Sequence, residues 1–421
     1  MAFVTTFPDR ADVRRLAGWL PEDHDDLESW LTGHRRKAAD QHGPLHPVLT
    51  EFQTLIDSDP VVRMYVHQMI AQVPHSKLYR KRHLHGVKEM LHLINAVMTM
   101  APEYGESAVI TPLNAVLDWT MGTSAGVAAY RDPRINLMLK KILTVWCAFL
   151  DSSASLYVLN DSPSGWKCEA ARRAVGIDEF EHDPHDEHWG FSSWNDFFTR
   201  RFKDGRRPVA APDDDTVIVN ACESTPHRIV AGVQRQDRFW LKDEPYSLQD
   251  MLAGDDSVDQ FVGGTFYQAY LTATNYHRWH SPVAGTIVRA FLQPGTYFSE
   301  GDSQSWDAIA PPNSQSYLAH VAVRAIVVID ADHPGIGLVA FVAVGIGEVS
   351  SCVIGRHVAP GYHVAKGEEL GYFQFGGSTH CVVFGPGAIT SFALATIPQP
   401  QNPKAPQVLV RSTLAKARTS T

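Results

Sequence analysis

In roughly the first 160 residues, hydrophobic positions recur at a spacing of three and four, which predicts amphipathic helices. One apolar stripe starts at Asp59 and Pro60, so we expect Asp59 to cap a helix whose first turn contains the proline. Two further helices are predicted over residues 86–100 and 134–150. This part of the chain therefore predicts an α-helical bundle.

The hydrophobic pattern changes in the second half of the chain. Residues 160–190 are rich in Asp, Pro, Ser, Gly and His, which indicates a linker or an irregular exposed segment. Beyond it, β-branched and aromatic runs alternate with Gly and Pro turns. These runs predict strands over residues 216–219, 285–292, 325–329, 337–344, 371–375 and 382–384. We expect an α+β fold, with a helical domain over residues 1–165 and a β-rich domain over residues 166–421.

Composition narrows the class of protein. Of the 421 residues, 44% are hydrophobic and 20% are charged, as in folded globular proteins. The net charge of −9, without a long basic stretch, argues against a nucleic-acid partner. There is no apolar run long enough for a membrane span and no signal-like start, so we expect a cytoplasmic protein without stable membrane insertion and with a small-molecule substrate. The five cysteines have wide, irregular spacings, which predicts free thiols.

A serine after two glycines is the first candidate for chemistry. Gly376 and Gly377 let the backbone bend and leave the Gly377 carbonyl uncrowded, so the Ser378 hydroxyl could reach it. Taken alone, these residues are more typical of a turn between two strands than of a reactive site.

Two histidines and one acidic residue form a second group of candidates. His277 and His280 lie three residues apart, and an imidazole titrates near neutral pH, so either could transfer a proton. A structural histidine that donates to a backbone carbonyl is the alternative for each. Glu223 follows a predicted strand and could place its carboxylate near the histidines.

Two other segments contain several polar or aromatic side chains. In residues 194–209, phenylalanines at helical spacing predict a short packing helix, with arginines available to bind carboxylates. The loop at residues 182–188 contains three histidines and several acidic residues. These side chains could bind a metal ion, but a solvated irregular segment explains the same composition. We therefore expect no metal site in this loop.

Four segments in chain order, FFTRRFKDGRRP, ACES, YHRWHSP and KGEELGYFQFGGST, together resemble the phosphatidylserine decarboxylase family over about residues 190–390. The resemblance implies a β-rich catalytic domain that cleaves itself. The Ser378 hydroxyl would attack the Gly377 carbonyl, and β-elimination of the ester would leave a covalent pyruvoyl group at residue 378. The two chains, 1–377 and 378–421, would stay associated, and no pyridoxal phosphate would be needed.

The resemblance also implies a role for each candidate residue. Ser378 would be the nucleophile of cleavage and His280 its base. Glu223 would be the acidic member of the relay, although the Asp-Gly usual in the family is Glu223-Ser224 here. His277 would assist decarboxylation by contacting the substrate or protonating the carbanion.

Residues 47–52 and 57–62 in the N-terminal half, and residues 221–224, 294–298 and 375–378 in the second half, also resemble a soluble fungal branch of the family. This resemblance implies decarboxylation of a free aromatic L-amino acid, most of all L-tryptophan to tryptamine and carbon dioxide. One alternative is a phosphatidylserine decarboxylase that meets the bilayer through an amphipathic surface. A second is an inactive binding module, because residues 363–371 resemble a hairpin of lipoyl-type domains; the intact Ser378 and histidines argue against it.

Overall fold

The computed structural model describes most of the chain. The described residues are 20–21, 23–40, 43–73, 84–105, 108–237, 246–300, 314–349, 351–399, 402 and 405–418. None of the helices in these ranges combines the length and the apolar character needed to cross a bilayer.

Helices dominate the chain up to residue 198. The α-helices are α1 (His24–Asp40), α2 (Pro47–Ser58), α3 (Pro60–Ala71), α4 (Val87–Val97), α5 (Pro112–Met121), α6 (Ser124–Ala129), α7 (Pro133–Leu150), α8 (Glu169–Val175), α9 (Trp194–Phe198), α10 (Leu248–Met251), α11 (Val258–Phe261) and α12 (Gln315–Val321). Short 3₁₀ helices span Ser153–Val158, Ile177–Glu179 and Leu394–Thr396.

The three helices predicted from the sequence are confirmed as α3, α4 and α7. The Asp59 side chain caps α3 by accepting hydrogen bonds from the backbone N of Val61 (2.9 Å) and Val62 (3.0 Å). Pro60 is the first residue of that helix, where its missing N–H has no consequence. Because α8 and α9 follow residue 165, helices extend beyond the first predicted domain, and the boundary itself stays a prediction.

The strands lie between residues 217 and 417. They are β1 (Val217–Val219), β2 (Thr225–Ala231), β3 (Thr265–Leu271), β4 (Arg278–His280), β5 (Gly285–Gln293), β6 (Arg324–Ala331), β7 (Leu338–Gly345), β8 (Ser351–Ile354), β9 (His363–Val364), β10 (Glu369–Gln374), β11 (Ser378–Phe384), β12 (Ile389–Phe392) and β13 (Thr413–Ala417).

The strands form antiparallel sheets, which confirms the α+β class. The largest sheet has seven strands in the order β2-β3-β11-β7-β6-β5-β9, and two three-stranded sheets have the orders β4-β10-β8 and β1-β13-β12. Strand β11 pairs with β3 on one side and with β7 on the other along its whole length. Its first residue, Ser378, therefore lies inside the large sheet.

Alternation along β11 places its side chains in two different cores. Val382 and Phe384 belong to the core that also contains Trp279 of β4, whereas Cys381 and Val383 belong to a different core on the opposite face of the sheet. A third core joins the N-terminal helices to aromatic side chains next to the start of β11, among them Phe375. The helical region thus packs directly against the residues that precede Ser378.

Candidate active site

Ser378 is a buried residue at the start of β11. Its side chain is buried, and among the described residues its Oγ has no hydrogen-bond partner. The residues opposite it are Leu271 on β3 and Gly345 on β7. A Cβ added at Gly345 would come within 2.8 Å of the Val349 side chain, so a larger residue there would displace that side chain. A buried hydroxyl without a partner is available for chemistry.

The peptide bond before Ser378 is held in a specific geometry. Gly376 has φ +126°, a region that side-chain-bearing residues rarely adopt, and an added Cβ would lie 2.8 Å from the carbonyl carbon of Glu348. The Gly377 carbonyl oxygen accepts a hydrogen bond from the backbone N of Ile346 at 2.8 Å. Attack on this carbonyl would place negative charge on that oxygen, and the Ile346 amide is positioned to stabilise it.

His277 lies in an aromatic pocket beside this segment. Its buried ring stacks on Phe198 with the ring centroids 4.0 Å apart, and Phe198 in turn contacts Phe375 at 4.9 Å. Burial, together with the nearby Arg200 guanidinium, lowers the pKa of His277 to about 3. The His277 carbonyl accepts from the backbone N of Phe373 at 3.0 Å, so this histidine lies at the end of β10 that leads to Gly376.

His280 is held at both ring nitrogens. Nδ1 lies 2.9 Å from the carbonyl oxygen of Gly367, and Nε2 lies 2.9 Å from the hydroxyl of Tyr276. A carbonyl oxygen only accepts, so Nδ1 carries the proton and Nε2 accepts from Tyr276. Burial, with a smaller effect of Arg411, lowers the pKa of His280 to about 3. The neutral tautomer leaves Nε2 as the basic nitrogen.

The two histidines lie at different distances along β10. His280 pairs with Glu369 at the start of that strand, whereas His277 bonds to Phe373 near its end. His277 and His280 are three residues apart, which corresponds to about 10 Å of extended chain. The backbone register therefore brings His277 nearer to the Gly377–Ser378 bond than His280.

Glu223 is engaged with an arginine. Its carboxylate accepts from Arg207 Nη2 at 2.8 Å, from Arg207 Nε at 3.1 Å and from the backbone N of Val410 at 3.0 Å. Arg207 also donates to Glu179 at 2.8 Å. Because both ring nitrogens of His280 have other partners, the carbonyl of Gly367 occupies the orienting position expected for an acidic residue. The relay role of Glu223 stays a prediction.

The arginines of the segment at residues 194–209 differ in function. Arg200 is buried and donates to the carbonyl oxygens of Thr274 (2.6 Å) and Asn275 (3.2 Å), which fixes the loop before His277. Arg201 binds the carboxylate of Glu369, as expected from the sequence. The predicted packing helix is α9, which buries Phe197 and Phe198.

The histidine-rich loop at residues 182–188 makes local contacts. His182 Nδ1 lies 2.9 Å from the Phe180 carbonyl oxygen, and His188 Nδ1 lies 3.0 Å from that of Leu159. Within the described ranges, no group of three or more His, Cys, Asp or Glu side chains has an arrangement that could hold a metal ion.

Sequence analysis missed three residues close to Ser378. His380 is buried two positions further along β11, near the rings of Tyr267 (5.9 Å) and Phe341 (6.0 Å), and burial lowers its pKa to about 3. Its i+2 spacing from Ser378 could have placed it on the same face of a strand. The Ile346 amide and the buried Glu348 carry no motif that would reveal them.

The chain is similar to known proteins over most of its length. The chain matches the family described as phosphatidylserine decarboxylase over residues 46–175 and 194–409. It is 42% identical to decarboxylase iboD of Amanita muscaria over 301 residues, which covers 67% of this chain and 85% of the relative. It is 35% identical to an L-tryptophan decarboxylase of Psilocybe cubensis over 395 residues, which covers 87% of both chains.

More distant relatives are named as proenzymes. Phosphatidylserine decarboxylase proenzyme 3 of Schizosaccharomyces pombe is 35% identical over 205 residues, which covers 48% of this chain and 20% of that protein. The similarity to the two fungal decarboxylases extends over much more of both chains. From the matched regions and these identities, the chain belongs to the phosphatidylserine decarboxylase family and is a carboxy-lyase.

Proposed function

We propose that the chain cleaves itself between Gly377 and Ser378 and then decarboxylates a free aromatic L-amino acid, with L-tryptophan giving tryptamine and carbon dioxide. The observation that carries the proposal is the geometry of this one peptide bond. The Ser378 hydroxyl is buried without a described partner, while the neighbouring Gly377 carbonyl oxygen accepts the Ile346 amide at 2.8 Å.

The cleavage chemistry involves only this chain and water. Ser378 Oγ bonds to the Gly377 carbonyl carbon, the bond from that carbon to the Ser378 nitrogen breaks, and the hydroxyl proton passes to the leaving amine. Removal of the Ser378 Cα proton then breaks the Cβ–O bond, and Gly377 leaves as a carboxylate. Tautomerisation and addition of water release ammonia and leave a keto group at residue 378.

The surroundings of residue 378 fit such a group. Gly345, opposite on β7, brings no side chain towards it, and the Ser378 Oγ competes with no described hydrogen-bond partner. A pyruvoyl group condenses with the amine of a substrate and accepts the electron pair left when carbon dioxide departs. The residues of this chain then have to orient the substrate, exclude water and supply a proton.

The two histidines suit different proton transfers. His280 presents a neutral ring whose Nδ1–H is fixed by the Gly367 carbonyl, so Nε2 is the nitrogen that can accept a proton. To act on Ser378, Nε2 has to exchange the Tyr276 hydroxyl for the serine hydroxyl. His277 stacks on Phe198, which contacts Phe375 three residues before Ser378, and this supports a role in the decarboxylation step.

Sheet pairing supports association of the two products. Strands β11 and β13 would belong to the small chain, whereas their partners β3, β7 and β1 would belong to the large one. Cleavage at residue 378 would leave all of these ladders intact.

A free amino acid is favoured over a lipid by the relatives. The Psilocybe cubensis protein, named an L-tryptophan decarboxylase, covers 87% of this chain, whereas the phosphatidylserine decarboxylase of Schizosaccharomyces pombe covers 48%. An indole also requires a flat apolar pocket, and Phe375, three residues before the proposed reacting residue, packs against Phe198.

Intact-mass spectrometry tests the cleavage. The wild-type protein is expected to give a pyruvoyl-blocked chain of 44 residues, Ser378 to Thr421, and a large chain of residues 1–377. Ser378→Ala should remain one inactive chain because alanine has no hydroxyl. Ser391→Ala, at an exposed serine of β12, is the matched control and should be cleaved normally. A fully active, uncleaved wild-type protein would refute the proposal.

Single-histidine variants test the assigned roles. His280→Ala should block cleavage, whereas His277→Ala should be cleaved at least in part and turn over poorly. Loss of cleavage in His277→Ala alone would reverse the two roles.

Turnover assays test the substrate. Free tryptophan should yield tryptamine without added pyridoxal phosphate, and borohydride with substrate should trap an adduct on the small chain. Formation of phosphatidylethanolamine from phosphatidylserine vesicles, with no tryptophan turnover, would instead identify a lipid decarboxylase.

A further inference from the structure

The turn between β7 and β8 contacts the peptide bond proposed for cleavage through its backbone. Besides the Ile346 amide, which bonds to the Gly377 carbonyl oxygen, the backbone of Glu348 and Val349 abuts Gly376. A Cβ added at Gly376 would lie 2.8 Å from both the Glu348 carbonyl carbon and the Val349 nitrogen. The position of this turn therefore determines whether the amide points at the carbonyl.

The Glu348 side chain ties the same turn to the N-terminal helices. It is completely buried, and its Oε1 accepts a hydrogen bond from the backbone N of Asn114 at 2.6 Å. The backbone of Leu113 is also bonded to this carboxyl group. Both residues belong to the first turn of α5, where amide groups have no partner within the helix.

Glu348 performs a capping function that the sequence of α5 does not supply. The N-cap residue of α5 is Thr111, and its side chain makes no capping hydrogen bond. The second carboxyl oxygen of Glu348, Oε2, is buried and has no hydrogen-bond partner among the described residues. Burial raises the pKa of Glu348 well above its usual range. An apolar side chain at position 348 would avoid the free-energy cost of burying a carboxyl group. The presence of a buried glutamate that binds α5 therefore needs an explanation other than stability.

We propose that Glu348 is a positioning residue for self-cleavage. By capping α5, it fixes the turn at residues 346–349 so that the Ile346 amide faces the Gly377 oxygen when Ser378 attacks. The bonds made and broken are those of the proposed cleavage, and Glu348 itself gains and loses no atom. The inference rests on the proposed function, because it concerns the rate of that cleavage.

Three substitutions of Glu348 distinguish the effect of its hydrogen bond to α5 from the effect of its charge. Glu348→Gln keeps an oxygen of the same reach and should cleave within about twofold of wild type. Glu348→Ala removes the link to α5 and should slow cleavage about 100-fold, as expected for a misplaced oxyanion donor. Glu348→Asp keeps the carboxylate but shortens its reach, so it should slow cleavage at least about tenfold even if Glu348→Ala fails to fold.

Intact-mass spectrometry measures the cleaved fraction of the full chain over time. The midpoint of thermal unfolding is measured for each variant as well, to show whether the variant is folded. Hydroxylamine cuts esters but leaves amides, so it reports whether the ester forms. Slow variants should show no hydroxylamine-sensitive ester, because the defect precedes it. Wild-type cleavage rates in Glu348→Asp, or slow cleavage in Glu348→Gln, would overturn the inference and leave the proposed function intact. An uncleaved wild-type chain would refute the proposed function instead.

Discussion

Replacing Glu223 with glutamine should destabilise the protein substantially. The carboxylate accepts three hydrogen bonds, two from Arg207 and one from the Val410 amide, and both charged side chains are less than 10% exposed. Glutamine retains one acceptor oxygen, so its NH₂ group would face one of these donors and the charge pair would be lost.

The magnitude follows from the remaining partners of Arg207. Breaking a buried ion pair from one side costs about 3 to 5 kcal/mol. Arg207 keeps its 2.8 Å bond to Glu179, so we expect the lower end, about 3 kcal/mol. Glu179→Gln is the matched control, because the Glu179 side chain is 40% exposed and such a pair contributes about 0 to 1 kcal/mol.

The assay is urea unfolding of both variants on the Ser378→Ala background, which should keep one covalent chain. A loss in Glu223→Gln no larger than in Glu179→Gln would refute the reasoning. The relay role is measured separately with Ser378 intact, at a temperature where Glu223→Gln is folded. Slowed cleavage is expected there, and normal cleavage would assign the acidic role to another residue.

Two further predictions concern the backbone and the buried histidines. Gly376→Ala should slow cleavage, because its Cβ would meet the Glu348 carbonyl carbon. Gly361→Ala is the control and should not slow cleavage, because Gly361 also has a positive φ but has open space around it. Equal cleavage rates in the two variants would contradict the steric argument. The pKa values of His277, His280 and His380 are lowered to about 3, against about 6.5 when unfolded, so their stabilising contribution is present above pH 6.5 and is lost as the pH falls towards 3. The slope of the unfolding free energy against pH gives the number of protons taken up on unfolding. At pH 5 this number should be smaller by about one in His380→Leu than in the wild-type protein. An unchanged slope would show that His380 is already protonated in the folded protein.

The sequence was sufficient for features that depend on local pattern. Asp59 and Pro60 mark the start of α3 because capping and proline geometry are local. Strand β11 shows the opposite case: only residues 382–384 were predicted, yet the strand begins at Ser378. Its first residues, Ser-Thr-His-Cys, do not resemble a hydrophobic strand, and they are buried because β3 and β7 flank them.

The candidate site also combines features that depend on local sequence with features that depend on distant residues. Motif similarity marks Ser378 and both histidines as candidates, but the partners of His280 come from distant residues such as Gly367. The contact of Glu348 with Asn114 joins residues 234 positions apart, and no local pattern encodes such a pair.

The central position of β11 has a consequence for the timing of activation. Ser378 faces Gly345 and Leu271 only after both neighbouring strands have paired, and the Ile346 amide reaches the Gly377 oxygen through the same sheet. Under the proposed cleavage, a nascent or misfolded chain would lack the means to generate its own electrophile. The number of reactive groups in a cell would then equal the number of molecules that have completed the sheet, and a group built into the chain cannot be lost by dilution.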